Sequence, residues 1–276
     1  MKQIKAPIIS ILEAMPDTYL VWLEAPEIAT EARPGQFIMV SCGKDAFLPR
    51  PLSIHRADGG QIALLFKVVG KGTGWLSQRK KGEPLDIFGP LGNGFTVNPD
   101  SRNLLLVGGG IGIAPLCFLA DYALGEGKKV TVIQGARSSD CLFPISCPQK
   151  LFDRGVLPAC LNIINATEDG SEGFKGLATA LIPHYVNTAD QVFACGPMAM
   201  YKTMAQIPEL KNKPVQLSLE IMMGCGTGVC YGCTIRTKKG LKQVCKDGPV
   251  FEMGEVEWGE GELKSQKSNL KTTDKK

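Results

Sequence analysis

No stretch of this chain is long and apolar enough to suggest a membrane span. The longest run without a charge, Leu104 to Ala120, is interrupted by four glycines and Pro115. It falls short of the roughly 20 residues a spanning helix needs, and a buried strand, turn and helix explain it better. The opening MKQIKAPIIS lacks the continuous apolar segment of a secretory signal. Ten cysteines without such a signal lead us to expect free thiols in a reducing cytoplasm rather than a disulfide framework. Internal repeats and long linkers are also missing. Of the two histidines, His55 is expected to be structural or solvent-facing and His184 has no partner pattern. The one lysine-rich stretch, Lys264 to Lys276, holds five lysines and one aspartate but no aromatic platform. That speaks against nucleic-acid binding and for a solvated, disordered tail over 259–276.

What is present suffices for two domains and a small appendage: 276 residues, 44% hydrophobic and 21% charged. Over 1–98 short apolar stretches such as QFIMVS (Gln36–Ser41), QIALLFKVV (Gln61–Val69) and PLDIF (Pro84–Phe88) alternate with Pro-Gly and Asp-Gly-Gly turns. That pattern predicts an antiparallel β-barrel or sandwich, of which we take the barrel, with one short helix opening at Gly70–Leu76. Over 99–213 strands alternate with helices. Leu104–Val107, Val130–Gln134, Leu161–Asn165 and Gln191–Ala194 read as strands and Ala114–Leu124 as a helix, which predicts an α/β parallel-sheet domain. The remaining segment, 214–258, carries the cysteine-rich module.

In that module Cys225, Cys230, Cys233 and Cys245 follow the spacing C-x4-C-x2-C-x11-C. Structural zinc sites usually pair their ligands in two short knuckles. Three cysteines in one loop with a distant fourth instead match plant-type [2Fe–2S] binding. Gly224, Gly226, Gly228 and Gly232 let the backbone wrap a bulky anionic core and point N–H groups at sulfur. Zinc remains the rival ligand. The other cysteines without a pattern (Cys42, Cys117, Cys141, Cys147 and Cys160) are expected to act as small buried hydrophobes.

Two further motifs suit phosphates. Arg50-Pro51-Leu52-Ser53 follows a barrel strand, and a guanidinium binds pyrophosphate bidentately. Downstream, Lys67 and the turn Gly70-Lys71-Gly72-Thr73-Gly74 add a cation and free N–H groups; together they predict a flavin dinucleotide site. Gly108-Gly109-Gly110-Ile111-Gly112 then stands between a strand and a helix, where a nucleotide turn belongs. It lacks the third glycine of G-x-G-x-x-G, and the next strand ends in Gln134-Gly135-Ala136-Arg137 with no acidic residue for a ribose. A turn that merely packs helix on strand remains the other reading. Cys195-Gly196-Pro197 marks a second turn at the sheet's carboxyl edge, where Cys195 would either touch a nicotinamide or fill space.

Taken in order, the R-P-x-S barrel, the GGGIGIAPL and CGP turns and the cysteine loop resemble the ferredoxin-reductase superfamily with an appended [2Fe–2S] domain. The runs SLEIMMGCGTGVCYGCTI and VCKDGPVF closely resemble the electron-transfer subunits of heterotetrameric dihydroorotate dehydrogenase B. The resemblance spans about residues 5 to 258. It implies FAD on Arg50, Pro51, Leu52, Ser53, Leu65, Phe66, Lys67, Gly72 and Thr73, with Leu52 standing where relatives often have an aromatic. It implies NAD as co-substrate and an FMN-containing catalytic partner, two of each subunit, that oxidises dihydroorotate in pyrimidine synthesis. This chain offers no base or pocket for that substrate. A subunit of an NADPH–ferredoxin transhydrogenase or a sulfide dehydrogenase would share the cofactors, and Arg137 and Lys202 leave NADP open.

Overall fold

Strands β1 (Lys2–Met15) and β2 (Thr18–Glu24) open the chain, followed by a single turn of helix, α1 (Pro26–Ala29), and β3 (Phe37–Val40). Next come β4 (Arg50–Asp58), β5 (Gln61–Lys67), helix α2 (Lys71–Ser77) and β6 (Pro84–Leu91). In this computed structural model, which describes residues 1–43, 47–145 and 160–258, the six strands close a barrel in the order β1-β2-β5-β4-β3-β6. β1 closes it by serving two neighbours: its first half pairs with β6 and its second half with β2, with an irregularity between Ile8 and Ser10. Cys147 and the tail from 259 lie outside the described residues.

β5 shows why the barrel sequence reads as an unbroken apolar run. Ile62, Leu64 and Phe66 point into the barrel core, while Leu65 turns outward into a second core with Leu104, Ile113 and Leu116. A strand buried on both faces has no polar side to show. Each such side chain contributes about 1.5–3 kcal/mol of burial.

The second domain comprises β7 (Asn103–Gly109), α3 (Ile113–Gly125), β8 (Lys129–Ala136), β9 (Leu161–Thr167), β10 (Phe174–Lys175), α4 (Ile182–Tyr185), β11 (Gln191–Cys195) and α5 (Met198–Met204). β12 (Val215–Ser218), the hairpin β13 (Thr234–Thr237) and β14 (Gly240–Gln243), α6 (Val244–Asp247) and β15 (Val250–Glu252) complete the described chain. The sheet order is β10-β9-β8-β7-β11-β12-β15, parallel except for β15. The chain runs outward from β7 through β8 and β9, then returns to β11 on the other side. β7 and β11 therefore flank the topological switch point, where ligands bind in such sheets.

The cysteine segment does not hang free. Its β12 and β15 extend the sheet, and Cys233, Ile235, Val244 and Cys245 share one core with Phe37, Met39 and Leu91 of the barrel. Barrel and sheet are also joined directly. His55 on β4 has Nδ1 3.0 Å from the Ala114 carbonyl at the start of α3, and Arg56 pairs with Asp121 at 2.9 Å. No helix among the described residues is long and apolar enough to cross a membrane.

Candidate functional site

The R-P-x-S run forms the start of β4, paired with β3 so that Val40 faces Arg50, Met39 faces Pro51, Ile38 faces Leu52 and Phe37 faces Ser53. All four of Arg50, Pro51, Leu52 and Ser53 are half-buried, whereas Ile54 and His55 beyond them are buried. Arg50 donates from Nη1 to the Leu48 carbonyl at 3.2 Å and lies over the glycine turn. A Cβ on Gly72 would sit 2.7 Å from Arg50 Nε. The two motifs are thus one surface, and a side chain at Gly72 would push the guanidinium aside. Thr73 is committed to the same turn: its Oγ1 accepts from Val69 N at 2.9 Å and Gly70 N at 3.3 Å and donates to Gly70 O. Of Leu65, Phe66 and Lys67, only Lys67 exposes its side chain; Leu65 and Phe66 are core residues. They can offer a dinucleotide main chain alone. Trp75, which sequence reasoning passed over, covers Gly43 with its indole and carries the Arg79 guanidinium 4.2 Å from its ring centroid.

At the switch point two turns are nested. Gly108 on β7 pairs with Cys195 on β11. A Cβ on Gly112 would meet the Cys195 carbonyl at 2.2 Å, and one on Gly109 would meet Pro197 Cδ at 2.8 Å. Gly108 lies against Ile113, and Gly196 against Met200 and Gly109. At Gly112 the Cys195 main chain leaves no room for a side chain, and at Gly108, Gly109 and Gly196 a side chain would press on Ile113, Pro197 and Met200. Gly110 differs: its φ is +54° and no atom lies within 4 Å of its Cβ position. It faces open space at the mouth of the turn.

Cys195 itself is buried, with Sγ 3.9 Å from Glu220 Oε1. Burial, and then the Glu220 charge, push its thiol well above the usual range. Beside it, Tyr201 accepts from Gly196 N at 2.8 Å and donates to the Ser218 carbonyl at 2.6 Å. That hydroxyl ties the CGP turn to the strand leading into the cysteine loop. Nothing in the sequence singled Tyr201 out, because its role depends on β11 and β12 being neighbours. His55 is structural, as one of its two expected roles had it, and is buried rather than solvent-facing.

The cysteine loop is shaped by positive φ at Gly226 (+73°), Gly228 (+84°) and Tyr231 (+57°). Cys233 and Cys245 are buried, Cys225 is half-buried and Cys230 is exposed. Backbone N–H groups face sulfur: Thr227 N lies 3.4 Å from Cys225 Sγ, and Cys245 N 3.4 Å from Cys233 Sγ. Burial pushes the Cys225 thiol up, but hydrogen bonds from Thr227 and Cys230 outweigh it and bring it down to about 6. Cys245 is pushed up to about 12 by burial, by its hydrogen bond with Cys233 and by the neighbouring thiolates. Thiols that repel one another's ionisation in this way suit a cationic core, whose charge reverses the effect. Among the described residues no three ligand-type side chains already converge on one point. Donor type, spacing, backbone N–H groups and open φ all fit a cluster larger than a single ion.

Comparison with known proteins agrees with this geometry. Residues 220–257 match the iron-sulfur cluster binding domain of dihydroorotate dehydrogenase B. The structure of an NADH-dependent reduced ferredoxin-NADP oxidoreductase superposes with TM-score 0.79 at 31% identity, over 92% of this chain and 90% of that one. The ferredoxin reductase of carbazole 1,9a-dioxygenase, at 20% identity and TM-score 0.64 over 78% of this chain and 68% of its own, shares the fold. A dihydroorotate dehydrogenase B (NAD(+)) electron transfer subunit from Caldanaerobacter subterraneus is 39% identical, covering 81% of this chain and 86% of its own. One from Desulforamulus reducens is 37% identical over 267 residues, 93% of this chain and 99% of its own. At that identity and coverage, the chain belongs to the family of dihydroorotate dehydrogenase B electron transfer subunits.

Proposed function

We propose that the chain carries electrons from a partner's reduced flavin, through a [2Fe–2S] cluster and FAD, to NAD+, completing the oxidation of dihydroorotate to orotate. FAD exchanges electrons singly or in pairs and the cluster singly, so together they join a one-electron port to a hydride acceptor. Residues 1–98 would hold FAD on Arg50, Pro51, Leu52, Ser53, Gly72 and Thr73 and on the main chain at Leu65, Phe66 and Lys67. Residues 99–213 would hold the nicotinamide nucleotide at Gly108, Gly109, Gly110 and Gly112 and at Cys195, Gly196 and Pro197. Residues 214–258 would hold the cluster on Cys225, Cys230, Cys233 and Cys245.

The carrying observation is adjacency. The cysteine loop packs on β3, which pairs with the R-P-x-S strand, and the same segment's β12 is tied through Tyr201 to the CGP turn. Arg50 supplies the fixed cation for a pyrophosphate, Gly110 leaves room for a close phosphate approach, and the buried Cys195–Tyr201 pair keeps water from that end of the site. Exposed Cys230 is flanked in the chain by Val229 and Tyr231, also exposed, and Met222 earlier in the same segment is exposed as well. The exposed face at Val229, Cys230 and Tyr231 is the one we assign to the catalytic, FMN-containing partner, in an assembly of two copies of each subunit. Free thiols throughout the described residues support a cytoplasmic setting.

The test is purification from the native host followed by three measurements: flavin and iron–sulfur absorption, bleaching by NADH, and dihydroorotate-dependent NAD+ reduction. A colourless, zinc-containing protein would sink the proposal. A second reading, as the corresponding subunit of an NADPH–ferredoxin transhydrogenase or of a sulfide dehydrogenase, draws support from the 31% identical oxidoreductase. Co-purification with a ferredoxin-linked enzyme and no dihydroorotate activity would establish it instead.

A further inference from the structure

β3 separates two interiors. Ile38 and Val40 point into the barrel core, while Phe37 and Met39 point the other way, into the core shared with Cys233 and Cys245. Met39 is buried and stands directly opposite Pro51 of the flavin motif in the β3–β4 register, so the two side chains share one face. Its side chain lies directly beneath the cysteine loop. A Cβ on Gly226, the residue after Cys225, would fall 2.7 Å from Met39 Cγ, 2.9 Å from its Sδ and 3.3 Å from Leu91 Cδ1. Gly226 combines a positive φ of +73° with this contact, so the loop is glycine there both to turn and to sit flat on the thioether. A single residue thus adjoins both halves of the relay, lying opposite Pro51 of the flavin strand and against Gly226 of the cysteine loop.

We infer that Met39 is the positioning residue that sets the gap between FAD and cluster, and so the speed of the one-electron step between them. The inference rests on the FAD and [2Fe–2S] reading above. In that step reduced FAD loses one electron and the oxidised cluster gains one; no bond is made or broken. Electron transfer slows steeply with distance, and more steeply through empty space than through packed atoms. A long, polarizable thioether fills such an irregular gap well. The hydride step from NADH is served from the switch point and does not involve Met39.

The experiment mixes NADH anaerobically with the holoprotein and follows the flavin and cluster bands separately in a stopped-flow instrument. Met39→Ala should leave the flavin phase at the wild-type rate and slow the cluster phase severalfold, with flavin and iron contents unchanged. Met39→Leu nearly conserves volume and should restore the cluster phase. Ile38→Val trims the other face of the same strand and should leave both phases alone. Hydrogen exchange at the Gly226–Gly228 amides should quicken in Met39→Ala alone. Should Met39→Ala lose its iron, Met39→Val carries the same comparison. An unchanged cluster phase at full iron content overturns the role of Met39. Equal slowing of both phases, or a Leu variant as slow as Ala, overturns it as well. A wild-type protein without flavin and cluster bands, or one that NADH does not bleach, refutes the underlying functional reading rather than this inference.

Discussion

Acid should loosen the joint between barrel and sheet through one residue, His55. Its ring is buried, with Nδ1 3.0 Å from the Ala114 carbonyl and the edge of Phe143 5.1 Å away between centroids. Nε2 has no hydrogen-bond partner among the described residues. A neutral ring donating from Nδ1 satisfies this environment, whereas a second proton on Nε2 would place an unpaired charged donor in an apolar site. Burial, and then the Arg56 charge, accordingly lower the pKa from 6.5 to about 3. A lowered histidine pKa means that the unfolded chain takes up the proton first. The stability this residue contributes is therefore complete above pH 6.5 and is lost as pH falls toward 3. Linkage gives a loss of about 1.4 kcal/mol at pH 5.5 and about 2 kcal/mol at pH 5. For a chain of this size, the loss at pH 5.5 corresponds to roughly 2–3 °C in Tm. The assay compares Tm at pH 7.5 and pH 5.5 for the wild type and for His55→Gln, which keeps a donor for Ala114 but cannot titrate. Acid-labile groups common to both proteins cancel in the difference. The variant should start less stable and lose about 1.4 kcal/mol less on acidification; parallel losses would refute the assignment.

Five other substitutions probe the sites. Arg50→Ala should weaken FAD retention by about 10- to 100-fold, from loss of a charge-assisted contact worth roughly 1.5–3 kcal/mol, as read by flavin release on gel filtration. Gly72→Ala should weaken it too by displacing the Arg50 guanidinium, whose Nε would lie 2.7 Å from the new Cβ. At the switch point, Gly112→Ala drives a methyl into the Cys195 carbonyl at 2.2 Å. It should lower Tm and raise the KM for NADH, while Gly110→Ala, in open space at φ +54°, should cost only about 1 kcal/mol. Tyr231→Glu on the exposed face should reduce co-purification of the catalytic partner and dihydroorotate-dependent NAD+ reduction. NADH-driven flavin bleaching, measured on the same preparation, should stay at the wild-type rate.

Motifs whose chemistry is local could be read directly. The cysteine spacing, the R-P-x-S run and the glycine turn each carry their meaning within a few residues, and the alternation of apolar runs with turn residues announced both the barrel and the sheet. Strand ends were less visible. β1 reads poorly because it bends to serve two neighbours, so its apolar period breaks midway. The strands β12 and β15 were absorbed into the cysteine segment, since nothing local says that they join the sheet seven strands wide.

The order of residues already limits which chemistries the chain can host: four thiolates in a glycine-rich loop, a guanidinium beside a phosphate-type turn, and a strand–turn–helix built for close backbone approach. Which glycines face open space and which meet a neighbour depends on the packed fold, as Gly110 differs from Gly112. The same is true of the bridging residues. Tyr201 joins two strands that are 20 or more residues apart in sequence, and Met39 meets a loop that begins beyond residue 218. Their identities follow from packing against distant chain, and packing leaves no short-range signature to read.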